Sequence, residues 1–334
     1  MNSMQIISVV VFLIVMTALV TEKVHRTAAA VSGAVLLLCL RVLTVDEAVG
    51  YIDFGTIGVL LGMMLFVAVV RNSGLFEYMA IKSAKIAKGS PWKIMLLFMI
   101  LTAVLSAFLD NVTTVLLVGP MAISIAGILG IDPVPFLLTQ ILASNIGGTA
   151  TLIGDPPNIM IGSKAGLSFA DFVVTTGPAV VIIMIVVCAL YCIVYGRRMV
   201  VAPERMEAVM ELDEKRAVQD AGLMKKSLVM IALIVLGFVS HSSLGVESCV
   251  VALAAASVML LIGRQDIEEI VLGVEWSTIL FFTGLFVIVG GMVKCGVITA
   301  LGNALVSVTG GNVKLLMILI LWGSAIFSSV LDNI

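Results

Sequence analysis

The stretch ASNIGGTATLIGDPPNIMIG, residues 143–162, sits inside an apolar run from 134 to 163 that is long enough for one membrane crossing. Gly147 and Gly148 permit close backbone approach and unusual dihedrals. Pro156 and Pro157 remove two backbone donors and cannot continue a helix. A helix entering from either side therefore breaks in the middle. Irregular backbone at membrane depth is tolerated only where it is buried in protein or lines a water-filled cavity. Asn145, Thr149, Thr151, Asp155 and Asn158 then supply oxygens and amides to that cavity. The competing reading is a kinked helix whose polar groups satisfy one another.

The rest of the chain makes the membrane assignment secure. Of 334 residues, 61% are apolar and only 12% charged, against about half and a quarter in a soluble domain. A globule of that composition could not clothe itself in polar surface, which excludes a soluble enzyme, a nucleic-acid binder and a disordered protein. A crossing takes about 20 mostly apolar residues. Candidate segments lie near 5–20, 27–43, 54–70, 92–109, 112–129, 134–163, 172–195, 227–240, 245–263, 276–293 and 313–331. None shows the ten-residue alternation of an outer-membrane barrel. The fold class is an all-α polytopic membrane protein. The first run lacks a preceding positive residue and a cleavage site, so it reads as a retained span with the N-terminus outside.

Lys and Arg set the orientation, because cytoplasmic loops retain positive charge. If the segments on either side of residue 110 form a re-entrant hairpin, fifteen of the 19 basic residues fall on one side. Arg41, Lys164, Lys294 and Lys314 fall on the other. The chain is then expected in the cytoplasmic membrane, with the polar run 201–227 on the inside as a solvated linker. The segment 76–88, with Glu77, Lys82, Lys85 and Lys88, reads as a surface helix on the cytoplasmic leaflet.

Shifted by 222 residues, the sequence overlays itself without a gap. Thr56 falls on Thr278, Gly62 on Gly284, Gly74 on Gly296, Gly89 on Gly311, Ser106 on Ser328, and Asp110-Asn111 on Asp332-Asn333. Over 47–112 there are 15 identities in 66 positions. An odd number of crossings separates the copies, so the second is inverted, the architecture of secondary transporters with a mid-membrane site. The organisation expected is N-terminal helices at 1–46, a first repeat at 47–198, a linker at 199–226, connecting helices at 227–268 and an incomplete second repeat at 269–334. Because the second copy stops after its Asp-Asn pair, the chain reads as a fragment or a truncated reading frame.

The second polar constellation is SAFLDNVTT, 106–114. An Asp at the centre of a membrane helix costs about 2.5 to 3.5 kcal/mol on insertion scales, so such residues face a cavity or carry function. Asp110, Asn111, Thr113 and Thr114 suit a hairpin tip where half-helix ends meet an ion, with Asp332 and Asn333 as counterparts. The competing reading is helix capping by Asp110 and Asn111. Asp53 and Glu275 start spans and read as caps; His25 and His241 read as interfacial. Cys188 and Cys192 share a helix face but read as packing residues, and no metal site is expected.

At these constellations the chain resembles the ion transporter superfamily of arsenite/antimonite efflux permeases, bacterial sodium/proton antiporters, sodium-coupled dicarboxylate symporters and the melanosomal P protein. LDNVTT at 109–114, GGTATLIGDPPN at 147–158, LDNI at 331–334 and ELDEKRAVQD at 211–220 place it nearest the arsenical-pump and P-protein-like branch. The resemblance implies a carrier with re-entrant hairpins and broken helices around substrate and coupling ions. In the dicarboxylate symporters the hairpin tips read Ser-Asn-Thr; Asp110, Asn111 and Val112 stand here instead. A fixed carboxylate repels a dicarboxylate, so the expected cargo is a small inorganic ion or oxyanion, coupled to H+ or Na+ without other cofactors. The alternatives are a gated anion channel on the same scaffold and a sodium-coupled di- or tricarboxylate symporter. Expected partners are membrane lipid and the transported ion. No nucleic acid is expected. Family members are often dimers, so a homodimer is one expectation. No metalloenzyme motif, nucleophile constellation or ATP-binding loop is present in the sequence, and no enzymatic role is expected.

Overall fold

The computed structural model describes residues 2–196 and 199–330, with the side chains of 329 and 330 left aside. Its elements are helices α1 (Ser3–Thr21), α2 (Arg26–Cys39), α3 (Val45–Tyr51), α4 (Phe54–Arg71), α5 (Leu75–Ile86), α6 (Pro91–Ser106), α7 (Asn111–Leu129), α8 (Val134–Gly148) and α9 (Pro156–Ala165). They continue with α10 (Phe169–Thr175), α11 (Gly177–Tyr195), α12 (Pro203–Met210), a 3₁₀ turn (Glu214–Ala217), α13 (Ala221–Leu244) and α14 (Ser248–Gly263). α15 (Ile267–Leu272), α16 (Trp276–Lys294), α17 (Val297–Val308) and α18 (Val313–Val330) complete the order. No strand occurs among the described residues. Among the described residues six helices are long and apolar enough to cross a membrane, and shorter apolar helices accompany them. The chain is an all-α polytopic membrane protein.

Helix starts follow local chemistry. Thr44 and Ser168 open α3 and α10 with capping boxes closed by Glu47 and Asp171. Pro91 begins α6 at the position where a missing N–H costs least. The 222-residue period extends beyond the stretch identified from sequence. α2, α3, α4, α5 and α6 start at 26, 45, 54, 75 and 91; α14, α15, α16, α17 and α18 start at 248, 267, 276, 297 and 313. Gly74 and Gly296 both stand at left-handed N-caps, with φ of 77° and 74°.

The chain divides into two compact units, 1–57 with 275–334, and 58–274. In the first, α2 lies against α16 so closely that a Cβ on Gly284 would come 2.7 Å from the Ala30 carbonyl carbon. Gln5 donates to Cys295 O at 2.8 Å, and Lys294 pairs with Glu47 at 2.6 Å. Val11, Val15, Leu37, Leu43 and Ile288 form its core.

In the second unit, Ile94, Met95 and Phe98 of α6 pack with Val118 and Ile125 of α7 and Phe136 of α8. Glu275 lies outside this unit, at the N-cap position of α16, and accepts from the Thr278 hydroxyl at 3.1 Å, while Asp53 accepts from Thr56 N at 3.1 Å. Both carboxylates sit at helix starts as expected. His241 is buried, accepts from Phe169 N at 3.4 Å and faces Val246 O at 3.1 Å. The five cysteines are free.

The 199–220 segment folds as short α12, a 3₁₀ turn and extended pieces; its residues are exposed or half-buried except Val209, which is fully buried in the α6/α7/α8 core. Most of its charged residues face outward, but Arg205 reaches Leu129 O and Glu214 pairs with Lys85, while Val209 seats the segment on the unit. The segment at 76–88 does form a helix, α5, but Leu75, Phe76, Ala80 and Ala84 are buried in protein, not in a leaflet.

Candidate functional site

The two polar constellations meet. α6 ends at Ser106, a four-residue turn follows, and α7 begins at Asn111; α8 ends at Gly148 and α9 begins at Pro156. Four helix termini are thus brought to one place. Ser106 Oγ donates to Ser144 O at 2.7 Å, and the Thr151 hydroxyl donates to Ala107 O. Asn111 Nδ2 donates to Asn145 Oδ1 at 2.9 Å. Asn158 Nδ2 crosses the break, donating to Gly148 O at 3.2 Å and Thr151 O at 2.9 Å.

Glycine makes this approach possible. A Cβ on Gly147 would fall 2.2 Å from Ala103 O, and one on Gly154 would fall 2.6 Å from Ser106 O. The polypeptide of α8 and of the break therefore touches α6 and its turn directly. Of the residues picked from sequence, Asp110, Asn111, Thr114, Asn145, Gly147, Gly148, Thr151, Asp155 and Asn158 all take part in or border this junction. Thr113 contributes its N–H to Asp110 Oδ1 at 2.9 Å. Thr149 is exposed and spends its hydroxyl on Ile146 O at 2.8 Å. Asp332 and Asn333 lie outside the described residues. Ser106, Ser144 and Gly154 were not singled out as site residues, although Ser106 recurs at 328 in the repeat.

The two carboxylates differ. Asp110 is the N-cap of α7, its Oδ1 taken by Thr113 N and its carbonyl by Thr114 N at 3.0 Å and the Thr114 hydroxyl at 2.9 Å. Capping and site membership thus coincide in one residue. Asp155 precedes α9 but makes no side-chain cap. It is 5% exposed, and its Oδ1 has no hydrogen-bond partner among the described residues.

The donors at the converging helix N-termini are already engaged. In α7, Val112 N donates to Asn111 Oδ1 at 2.9 Å, and Thr113 N and Thr114 N to Asp110. In α9, Pro156 and Pro157 have no N–H, while Asn158 N and Ile159 N donate to Asp155 O. A helix N-terminus ordinarily offers its free amides to an anion; these two offer few. The junction presents carboxylate and carbonyl oxygens instead, a donor set suited to a hard cation or a proton.

The comparisons with known proteins agree with a transporter. A family described as citrate transporter matches residues 16–334. An uncharacterized transporter of Mycobacterium tuberculosis is 40% identical over 336 residues, covering 99% of this chain and 78% of that protein. A 46 kDa membrane protein of Mycobacterium leprae is 39% identical over the same shares. The P protein of Homo sapiens is 29% identical over 398 residues, 95% of this chain and 48% of that protein.

Proposed function

The chain belongs to the citrate transporter family, and from that premise we propose that it is a secondary active transporter coupled to a proton or Na+, with a small inorganic ion or oxyanion as cargo. The observation that carries this reading is the pair of acidic N-caps, Asp110 and Asp155, set where two helix N-termini have few amides left for an anion. Asp155 is the residue suited to exchange: it is buried, and its Oδ1 has no hydrogen-bond partner among the described residues, so a cation or a proton would supply the partner it lacks. The inverted repeat indicated by the 222-residue period supports alternating access around this site, because such repeats let one arrangement be rebuilt facing the other side. The cytoplasmic membrane and an outside N-terminus belong to the same reading.

A carboxylate cargo is the second reading, favoured by the family's description. With two acidic side chains at the junction, a citrate-like anion would have to arrive with its charge balanced by co-transported cations.

The test is flux in vesicles carrying the chain, with an imposed proton or Na+ gradient, comparing arsenite, Na+ and citrate. Gradient-driven movement of arsenite or Na+ supports the leading reading, and citrate uptake that needs added cation supports the second. Flux of any cargo that persists unchanged after the gradient is dissipated would mean a channel.

A further inference from the structure

The 199–220 segment lies across the ends of α5 and α7 and is held there at several points. Arg205 Nη1 donates to Leu129 O at 3.1 Å, at the C-terminus of α7. Lys85 donates to Leu212 O at 3.2 Å and pairs with Glu214 at 2.6 Å. Gln219 N and Asp220 N both donate to Ser73 O, at 3.1 and 3.5 Å.

Three glycines in the left-handed region seat it. A Cβ on Gly74 would fall 1.9 Å from Ala217 O, one on Gly89 2.4 Å from Met206 O, and one on Gly130 1.2 Å from Arg205 Nη1. Gly296 and Gly311 occupy the equivalent positions of Gly74 and Gly89 with the same sign of φ. Gly296 meets only Gln5 Nε2, at 3.9 Å, and Gly311 meets nothing within 4 Å. Positive φ is thus common to both copies.

We propose that residues 199–220 form a clamp on the first repeat, and that Arg205 is a positioning residue for the transport site, acting through α7. That helix carries Asn111 and Thr113 at one end and the Arg205-capped Leu129 at the other, about 27 Å apart. A cation at a helix C-terminus satisfies an orphan carbonyl and opposes the negative end of the dipole. α7 needs this anchor because Pro120 has no N–H to return to Leu116 O midway along it. With Asn111 bonded to Asn145 at one end and Leu129 to Arg205 at the other, the helix is fixed at both.

The proposal rests on the transporter reading for its consequence but not for its test. Backbone hydrogen exchange of the purified chain in detergent is compared for the parent, Arg205→Gln and Arg205→Lys. Arg205→Gln should speed exchange about tenfold or more at 126–131, as expected for loss of a hydrogen bond to a charged group, and also at 111–116. Arg205→Lys keeps the cation and should restore most of the protection at 111–116. Faster exchange confined to 126–131 and the clamp itself would overturn the positioning role, as would a failure of lysine to rescue.

If Arg205→Gln does not fold, Gly130→Ala, which displaces the guanidinium, takes its place under the same two outcomes. In vesicles, sodium-driven arsenite uptake by Arg205→Gln should show a raised KM, with lysine again restoring it. A parent chain that moves no arsenite would count against the functional reading while leaving the exchange result to decide the clamp.

Discussion

Asn111, the first residue of α7, donates its side-chain amide to Asn145 of α8 across 2.9 Å, three residues before α8 ends. Asn145 in turn donates to Ile141 O at 3.0 Å, so the hairpin turn is tied to the broken helix through two side chains. Asn111→Ala and Asn145→Ala should each lower stability by about 1 kcal/mol. The double variant should lose less than the sum, since one shared bond is removed in both. Thermal unfolding of the four proteins in one detergent checks this; strict additivity would mean that the bond contributes nothing.

Asp155 and Asp110 should separate in mutagenesis. Asp155→Asn removes a buried charge with an unpartnered oxygen, so stability should hold or rise while gradient-driven flux is lost. Asp110→Asn keeps a good N-cap and should leave folding intact, whereas Asp110→Ala should cost about 1 kcal/mol. Flux and unfolding are measured on the same preparations. Parental flux in Asp155→Asn would remove Asp155 from the coupling step.

Gly147→Ala should be among the most damaging small changes in the chain. Its Cβ would meet the backbone of Ala103, at 2.2 Å from the oxygen and 2.5 Å from the Cα, and a backbone cannot turn aside. Overpacking of this kind costs about 1 to 3 kcal/mol. Gly127→Ala, also helical but with nothing within 4 Å, should be neutral or stabilising by up to about 1 kcal/mol. Expression and unfolding temperature of the pair make the comparison.

The clamp should loosen in acid. Lys85 holds the Glu214 carboxyl below its ordinary value. A lowered carboxylate contributes stability above its unfolded pKa of about 4.3 and loses it as pH falls through the lowered value. Pepsin cleavage at 199–220 should therefore be slow at pH 5 and rise as the pH is taken below about 4, with Glu214→Gln cut readily at both. A parent chain cut equally at both pH values would show that the pair does not hold the segment.

Ala208 is exposed on the clamp, and a cysteine there, in a chain whose five native cysteines are replaced, reports orientation. It should resist an impermeant thiol reagent in intact cells and react after permeabilisation. Labelling from outside would reverse the proposed topology.

Much of this was legible in the sequence because membrane helices leave a coarse signal. Apolar runs predicted α1, α4, α7 and α16 to within a few residues, and Pro156-Pro157 after Gly147-Gly148 located the break. The period of 222 was readable through Gly and Asp-Asn matches, but its extension to α2 and α14 was not, since lipid-facing and core-facing apolar residues exchange freely and erase identity. What the sequence concealed depended on tertiary contact. Val209 reads as one apolar residue in a charged run, yet it is fully buried in a core built mostly from residues 80–136. The division of labour between Asp110 and Asp155 was hidden for the same reason: both precede a helix, and only the backbone geometry decides which carboxylate is used as a cap.

α11 has no fully buried residue along its 19 positions, and Val181, Ile182, Ile185 and Ile193 are among its most exposed side chains. Its length is about 28 Å, close to the roughly 30 Å of a typical hydrocarbon core. With so little protein against it, its tilt is set by the acyl chains around it, and mismatch is met by tilting or by local deformation of the bilayer. Its C-terminal end carries the stacked Tyr191 and Tyr195, which pack on the same core that holds Val209. Acyl-chain length in a reconstitution is therefore a mechanical input to this protein, and flux measured in thin and thick bilayers samples two loads on the same core.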